Sequence, residues 1–295
     1  GWGGHGGKVA RRAPRRHLTI PRWLHIPRMP AIRLGAQGWN YPAWVGPFYP
    51  RGTRPRDFLE TYARVFDTVE VDSTFYAVPP VATVRGWRDR TPDGFTFALK
   101  LPREITHERR FVDVGDVTTR FLEAARELGP KLGPVLIQCG ADLPTEVRPD
   151  LEAFLHALPS DVRFAIEFRD RRWITEEMHA MLAAQRIALA LADARWVPRK
   201  WMLGLAARPT ADHAYVRWLG PDRTITDYSR LQEDRTAEIG AWAAVLPTVA
   251  KAVTVFGYVN NHFAGHSPAS LRMLQTALGQ IPQDPAQLDA QFGLF

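Results

Sequence analysis

Side chains able to move a proton or clamp an anion recur at the ends of short apolar runs along this chain. Asp72, Lys100, Gln138, Glu167, Asp193, Arg217 and Asn260 each close such a run, and Arg169 stands two residues past Glu167. Carboxylates in such places act as general acids or bases, and a lysine can share that work. Arginines offer a forked grip on carboxylate or phosphate. Side chains alternate along a strand. Placing Val69 and Val71 on the helix side therefore turns Glu70, Asp72 and Thr74 inward. Phe95, Phe97 and Leu99 likewise leave Thr96, Ala98 and Lys100 on the axis. The expected mouth holds the acids Asp72, Glu167 and Asp193, the bases Lys100, Arg169 and Arg217, and the amides Gln37, Gln138 and Asn260. We take Glu167, Asp72 and Lys100 as catalytic candidates, and Arg169, Arg217 and Asn260 as ligand contacts. The competing reading is an ion-pair lattice that only closes the barrel top, since buried charges need partners.

Three loops frame these positions. Residues 39–53 carry Trp39, Tyr41, Trp44, Phe48 and Tyr49. Such rings can stack on a sugar or base, and we take Trp39 as a contact of that kind. They can equally form a hydrophobic plug, the expected fate of Trp44 and Phe48. Residues 102–111 hold Arg103, His107, Arg109 and Arg110, a candidate anion patch set against a plain solvated loop. The last loop runs from Asn260 and Asn261 through His262 and His266 to Ser267, where a helix start would favour anions.

The elements that must position these residues are legible. Eight β-rich runs, at 31–37, 68–75, 95–101, 133–139, 163–168, 187–192, 213–218 and 253–260, alternate with stretches of helical spacing. Those stretches are 55–66, 80–89, 116–128, 147–157, 175–185, 230–250 and 267–279, with 195–211 the weakest. This is the pattern of βα units on a parallel sheet, and eight strands close into a single (β/α)₈ TIM-type barrel without exposed edges. No G-x-G-x-x-G follows the first run, which disfavours a dinucleotide-binding sheet. The length of 295 residues suits one barrel of about 250 residues with tails.

The net charge of +7 belongs to one end of the chain. Residues 1–30 contain Lys8, Arg11, Arg12, Arg15, Arg16, Arg22 and Arg28 and no acid. The remaining basic residues equal the 31 acidic ones in number. A nucleic-acid partner would therefore be drawn by the tail or by local patches. Residues 1–30, rich in Gly, Pro and Arg, read as a disordered basic extension, and residues 31–295 as the barrel. No apolar run reaches the about 20 residues that cross a bilayer, so no membrane partner is expected. Cys139 alone cannot form an internal disulfide, which fits a cytoplasmic protein.

Several ordered motifs resemble one known family. They are Gly38-Trp39-x-Tyr41-x-x-Trp44-x-Gly46-x-Phe48-Tyr49-Pro50, Val69-Glu70-x-x-x-Thr74-Phe75-Tyr76, Phe97-x-x-Lys100, Ile105-Thr106-His107, Glu167-x-Arg169-x-x-x-Trp173, Val216-Arg217 and Asn260-Asn261-x-x-x-Gly265. From about Ile32 to the C-terminus the chain resembles the YecE-like family, domain of unknown function 72. The resemblance implies a TIM-type barrel and no particular reaction. It adds Tyr76, His107 and Asn261 to the contacts expected at the mouth. It also marks Asp72 as a departure, since asparagine is usual there.

Three chemistries compete on these residues. The first is binding, with hydrolysis, of a phosphorylated or other anionic ligand. The second is carbohydrate hydrolysis by paired carboxylates drawn from Asp72, Glu167 and Asp193. The third is capture of a ligand without catalysis. A metal would have only His262, His266, Asp193 and Glu167, without H-x-x-H or H-E-x-x-H spacing, so no metal ligands are assigned. No motif specifies a cofactor. No G-x-S-x-G elbow is present, and Cys139 sits on a strand, so nucleophilic acyl transfer has least support. The expected partner is a small anionic or sugar-like ligand.

Overall fold

The computed structural model describes residues 1–3 and 31–285. The basic extension beyond residue 3 lies outside the described residues. The strands are β1 (Ile32–Ala36), β2 (Thr68–Val71), β3 (Thr96–Lys100), β4 (Leu132–Gln138), β5 (Phe164–Glu167), β6 (Ala188–Ala194), β7 (His213–Gly220) and β8 (Thr254–Val259). All pair parallel, in the order β1-β8-β7-β6-β5-β4-β3-β2. The helices are α1 (Phe58–Ala63), α2 (Val81–Asp89), α3 (Gly115–Arg126), α4 (Arg148–His156), α5 (Glu176–Gln185), α6 (Arg199–Ala206), α7 (Thr236–Val249), α8 (Asn261–Ala264) and α9 (Ser267–Ala277). This is a single (β/α)₈ TIM-type barrel. No helix among the described residues is long and apolar enough to cross a membrane.

The barrel all but closes between β1 and β2. Gln37 bridges Glu70, and the Gly38 N–H donates to the Glu70 carbonyl at 2.8 Å. Gly35 permits the approach, because a Cβ there would stand 2.0 Å from the Thr68 carbonyl oxygen.

Two apolar layers form. The larger lies between strands and helices and includes Leu34, Val69, Phe97, Ile137, Ile166, Leu191 and Trp242. The smaller fills the barrel with Ala98, Leu136, Ala165, Ala188, Ala190, Tyr215, Phe256 and Tyr258. Each large side chain so buried contributes about 1.5–3 kcal/mol relative to exposure. The alanines of β6 stand beside bulky neighbours, Ala190 against Tyr215 and Ala192 against Arg217. Small residues on one strand thereby admit large ones from the next.

The expected alternation fails at two places. Residues 72–75 leave the strand as a tight 3₁₀ turn, so Thr74 does not face the axis as a strand residue would. Its hydroxyl instead ties the turn to β3, accepting from the Lys100 N–H at 3.0 Å and donating to the Lys100 carbonyl at 2.7 Å. Asp193, expected at the mouth, points outward. Since Ala188, Ala190 and Ala192 occupy the inner face of β6, parity sends Asp193 toward the helices. There it accepts from Arg199 Nε at 2.6 Å and from Trp242 Nε1 at 2.7 Å, joining β6 to α6 and α7.

Candidate active site at the barrel mouth

The top layer of the interior is polar on most strands. Arg217 of β7 is buried and grips Glu70 of β2 with two nitrogens, Nε at 3.0 Å and Nη2 at 2.7 Å. Its third nitrogen, Nη1, donates to Glu167 of β5. Tyr215 adds a hydroxyl to Glu70 at 2.7 Å. Glu167 also accepts from Gln138 at 2.9 Å and from Arg169 at 3.1 Å. Burial opposes the Glu167 charge, but Arg217 and Arg169 outweigh that cost and hold its carboxyl at about 2. Burial pushes the Glu70 carboxyl up, and Arg217 offsets this only in part. The expectation of a lattice is thus met for the pair Glu70 and Glu167, which lie beneath the cavity and are fully buried.

Above this floor opens a cavity of about 440 Å³, walled in part by Asp72, Lys100, Arg169, Trp196 and Asn261. Lys100 ends β3, and its ammonium lies 3.9 Å above the centre of the Phe75 ring. Its nearest carboxylate oxygen is Asp72 Oδ1 at 3.8 Å, an ion pair without a hydrogen bond. Burial lowers the ammonium to about 8, although Asp72 pulls the other way.

The amides of the wall have fixed orientations. The His262 N–H donates to Asn260 Oδ1 at 2.8 Å, so Asn260 Nδ2 must be the group that meets Gln37, at 2.8 Å. Gln37 therefore presents Oε1 to Asn260 and keeps Nε2 as a buried donor with no protein partner. Asn261 follows the same logic. Its Oδ1 accepts from the Ser267 N–H at 3.0 Å and from the Ser267 hydroxyl at 2.9 Å, leaving Nδ2 buried and unpartnered. Trp196 Nε1 is a third unpartnered donor on the same wall. Buried donors left open are costly unless a ligand or water meets them.

Not every expected contact reaches this cavity. Asp72, Lys100, Tyr76, Arg169, Arg217, Asn260 and Asn261 line it together. Glu167 lies beneath it. Trp39 is half-buried and packs edge-on against Trp87 at 5.9 Å and Phe97 at 6.4 Å, away from the mouth. His107 sits behind Phe75, ring to ring at 5.1 Å, with Nδ1 bonded to Thr106 at 2.8 Å. Trp44 and Phe48 form the expected plug and are almost fully buried. The arginines of the 102–111 loop are neutralised locally, Arg103 by Glu108, Arg109 by Glu104 and Arg110 by Asp142. The helix start at Ser267 offers no anion site, because Asn261 already occupies it.

The four residues weighed as metal ligands are scattered. Asp193 faces the helices, and His266 Nδ1 is bonded to the Tyr228 carbonyl at 2.8 Å. Among the described residues no group of three or more His, Cys, Asp or Glu could hold a metal ion.

Some of the wall was not expected. Tyr228 contributes, its hydroxyl 3.1 Å from Nε2 of the expected His262, as do Arg195, Trp196 and Arg223. They come from loops without periodicity, where a sequence carries no orientation signal. Glu70 was turned inward by alternation, yet only the structure reveals it as the main partner of Arg217.

A family model described as a protein of unknown function, DUF72, matches residues 33–291. The UPF0759 protein YecE of Escherichia coli strain K12 is 33% identical over 138 residues, covering 47% of this chain and 48% of its own. The UPF0759 protein YunF of Bacillus subtilis strain 168 is 30% identical over 152 residues, covering 49% and 52%. The chain spans about half the length of the curated relatives it matches. The crystal structure of a DUF72 family protein from Thermotoga maritima MSB8 superposes with a TM-score of 0.67 at 22% identity. That match covers 85% of this chain and 100% of the other, and likeness at this identity speaks for the fold. Through the match over residues 33–291, this chain belongs to the DUF72 family.

Proposed function

We propose that the mouth binds a small hydroxylated anion, phosphorylated or carboxylated, with Lys100 as the group there that changes protonation. The observation that carries this is the meeting of cations and unpartnered donors on one cavity. Lys100, Arg169 and Arg217 share its wall with Gln37 Nε2 and Asn261 Nδ2. Charge on the floor is balanced, with Glu70, Glu167 and Asp72 against Arg217, Arg169 and Lys100. The exposed Arg195 and Arg223, set against Asp222 on the same wall, leave one positive charge in excess and tip it toward an anion. Hydrolysis with Glu167 as the acid lacks support, since a carboxyl held at about 2 stays ionised near neutral pH. Asp72 and Lys100, with His262 on the same wall, are titratable groups in contact with the cavity.

A neutral sugar is the second reading, favoured by the Tyr41, Tyr76 and Trp196 rings on the wall. Thermal unfolding with inorganic phosphate, a hexose 6-phosphate and the unphosphorylated hexose separates the two. The phosphate ester should stabilise most, by about 2.7 kcal/mol at a hundredfold excess over Kd. Arg169→Met should abolish the gain. Equal stabilisation by the parent hexose would move the assignment to sugars, and no stabilisation by any probe would remove both readings.

A further inference from the structure

Resting on the anion-binding reading above, we infer that Lys100 is a nucleophile that forms an imine with an aldehyde or ketone carbonyl of the bound anion. The site would then take a carbonyl acid or a ketose or aldose phosphate.

The first support is the position of the amine. Lys100 Nζ makes no hydrogen bond among the described residues, although the residue is only 6% exposed and lines the cavity. One face is covered by the Phe75 ring and the nearest acid stands at 3.8 Å. Lys131, the other buried lysine described, is a contrast. Its ammonium donates to the Arg88 carbonyl at 2.6 Å and the Thr91 carbonyl at 2.5 Å, and so is fully committed to structure. The second support is composition. Lys8, Lys100, Lys131, Lys200 and Lys251 are the only lysines in a chain whose 38 basic residues are otherwise arginine. Arginine would have supplied charge at the mouth equally well, but it cannot give up its proton to become a nucleophile. The third is the state of the amine, which burial brings to about 8. Near neutral pH the unprotonated fraction then exceeds that of an ordinary lysine by on the order of a hundredfold.

The step balances within the site. The ammonium gives one proton to Asp72, and the free amine adds to the carbonyl carbon to form a carbinolamine. The adduct first formed moves one N–H proton to its own alkoxide, which makes the carbinolamine neutral, and the proton held by Asp72 then passes to the hydroxyl. That hydroxyl leaves as water, and the C=N bond forms. Ammonium and carbonyl become iminium and water, with no oxidant or external acid. The iminium keeps the positive charge the ammonium had, so the balanced set of Glu70, Glu167 and Asp72 against the three cations is preserved.

The test is reductive trapping of the full chain. Glyoxylate and dihydroxyacetone phosphate are the probes, each with cyanoborohydride near pH 7.5, followed by peptide mass mapping. One of them should label Lys100 at least tenfold faster than the exposed Lys200 and Lys251. Excess inorganic phosphate should slow the Lys100 reaction alone. Lys100→Arg should lose the adduct while the labelling of Lys200 and Lys251 stays the same. Labelling confined to Lys200 and Lys251 would overturn the imine. If phosphate ester still stabilises the protein in that case, anion binding stands and only the covalent step falls. If it does not, both fall together.

Discussion

At the scale of single residues, the site separates groups that hold structure from groups held ready. Glu70, Glu167 and Arg217 are satisfied by one another, and the Arg217 guanidinium uses all three nitrogens on them. Lys100 is the opposite, a buried charge without a hydrogen bond, which should cost stability. Its ammonium is lowered from the ordinary 10.5 to about 8. Below pH 8 both the folded and unfolded chains carry the proton, and the folded state bears the whole penalty. Between 8 and 10.5 the unfolded chain binds more protons, so stability rises with pH, and above 10.5 the penalty is gone. Lys100→Met should therefore stabilise the protein by about 2–3 kcal/mol at pH 7. The gain should fade as pH approaches 10.5. Urea denaturation at a series of pH values reads this directly, and a destabilised variant at pH 7 would mean that Lys100 is a structural ion-pair partner.

At the scale of elements, the strands were legible because period-two alternation and β-rich composition agree over each run, and all eight form where expected. Even the weak 195–211 unit contains a helix, α6, starting just after Pro198. What the sequence could not disclose was where alternation stops. Asp72 and Thr74 belong to a turn, and α8 interrupts a stretch that reads as loop, because both are set by side chain to backbone bonds rather than by periodicity. Asp193 misled for a related reason. A polar residue closing a strand looks like a mouth residue, but its partners sit on helices, Arg199 on the next element, α6, and Trp242 on α7, 49 residues away. It works as a clasp between elements. Asp193→Ala should leave the buried Trp242 Nε1 without an acceptor and cost about 1–3 kcal/mol in urea denaturation. Affinity for a phosphate ester at the mouth should not change. A fall in affinity at unchanged stability would return Asp193 to the site.

At the scale of the whole molecule, charge is divided between two regions with different consequences. The residues from Ala31 onward are neutral in sum, and their arginines are largely committed to local acids, as at Arg85 with Glu127, Arg126 with Asp161 and Arg208 with Glu176. Such exposed pairs add little stability, but they cancel the field that a polyanion would sense. The surplus of +7 resides in the first 30 residues. Attraction to nucleic acid or heparin would therefore be a property of that segment, strongly salt-dependent and indifferent to the mouth. A small anion in the cavity should behave otherwise, since buried charges are screened much less than exposed ones. Replacing Arg11, Arg12, Arg15 and Arg16 with serine in the full chain separates the two. Retention on heparin at low salt should drop sharply, while thermal stabilisation by phosphate ester stays the same. Retention that survives these four changes would place a polyanion surface on the barrel itself, where Arg195 and Arg223 beside the cavity would be the first residues to test.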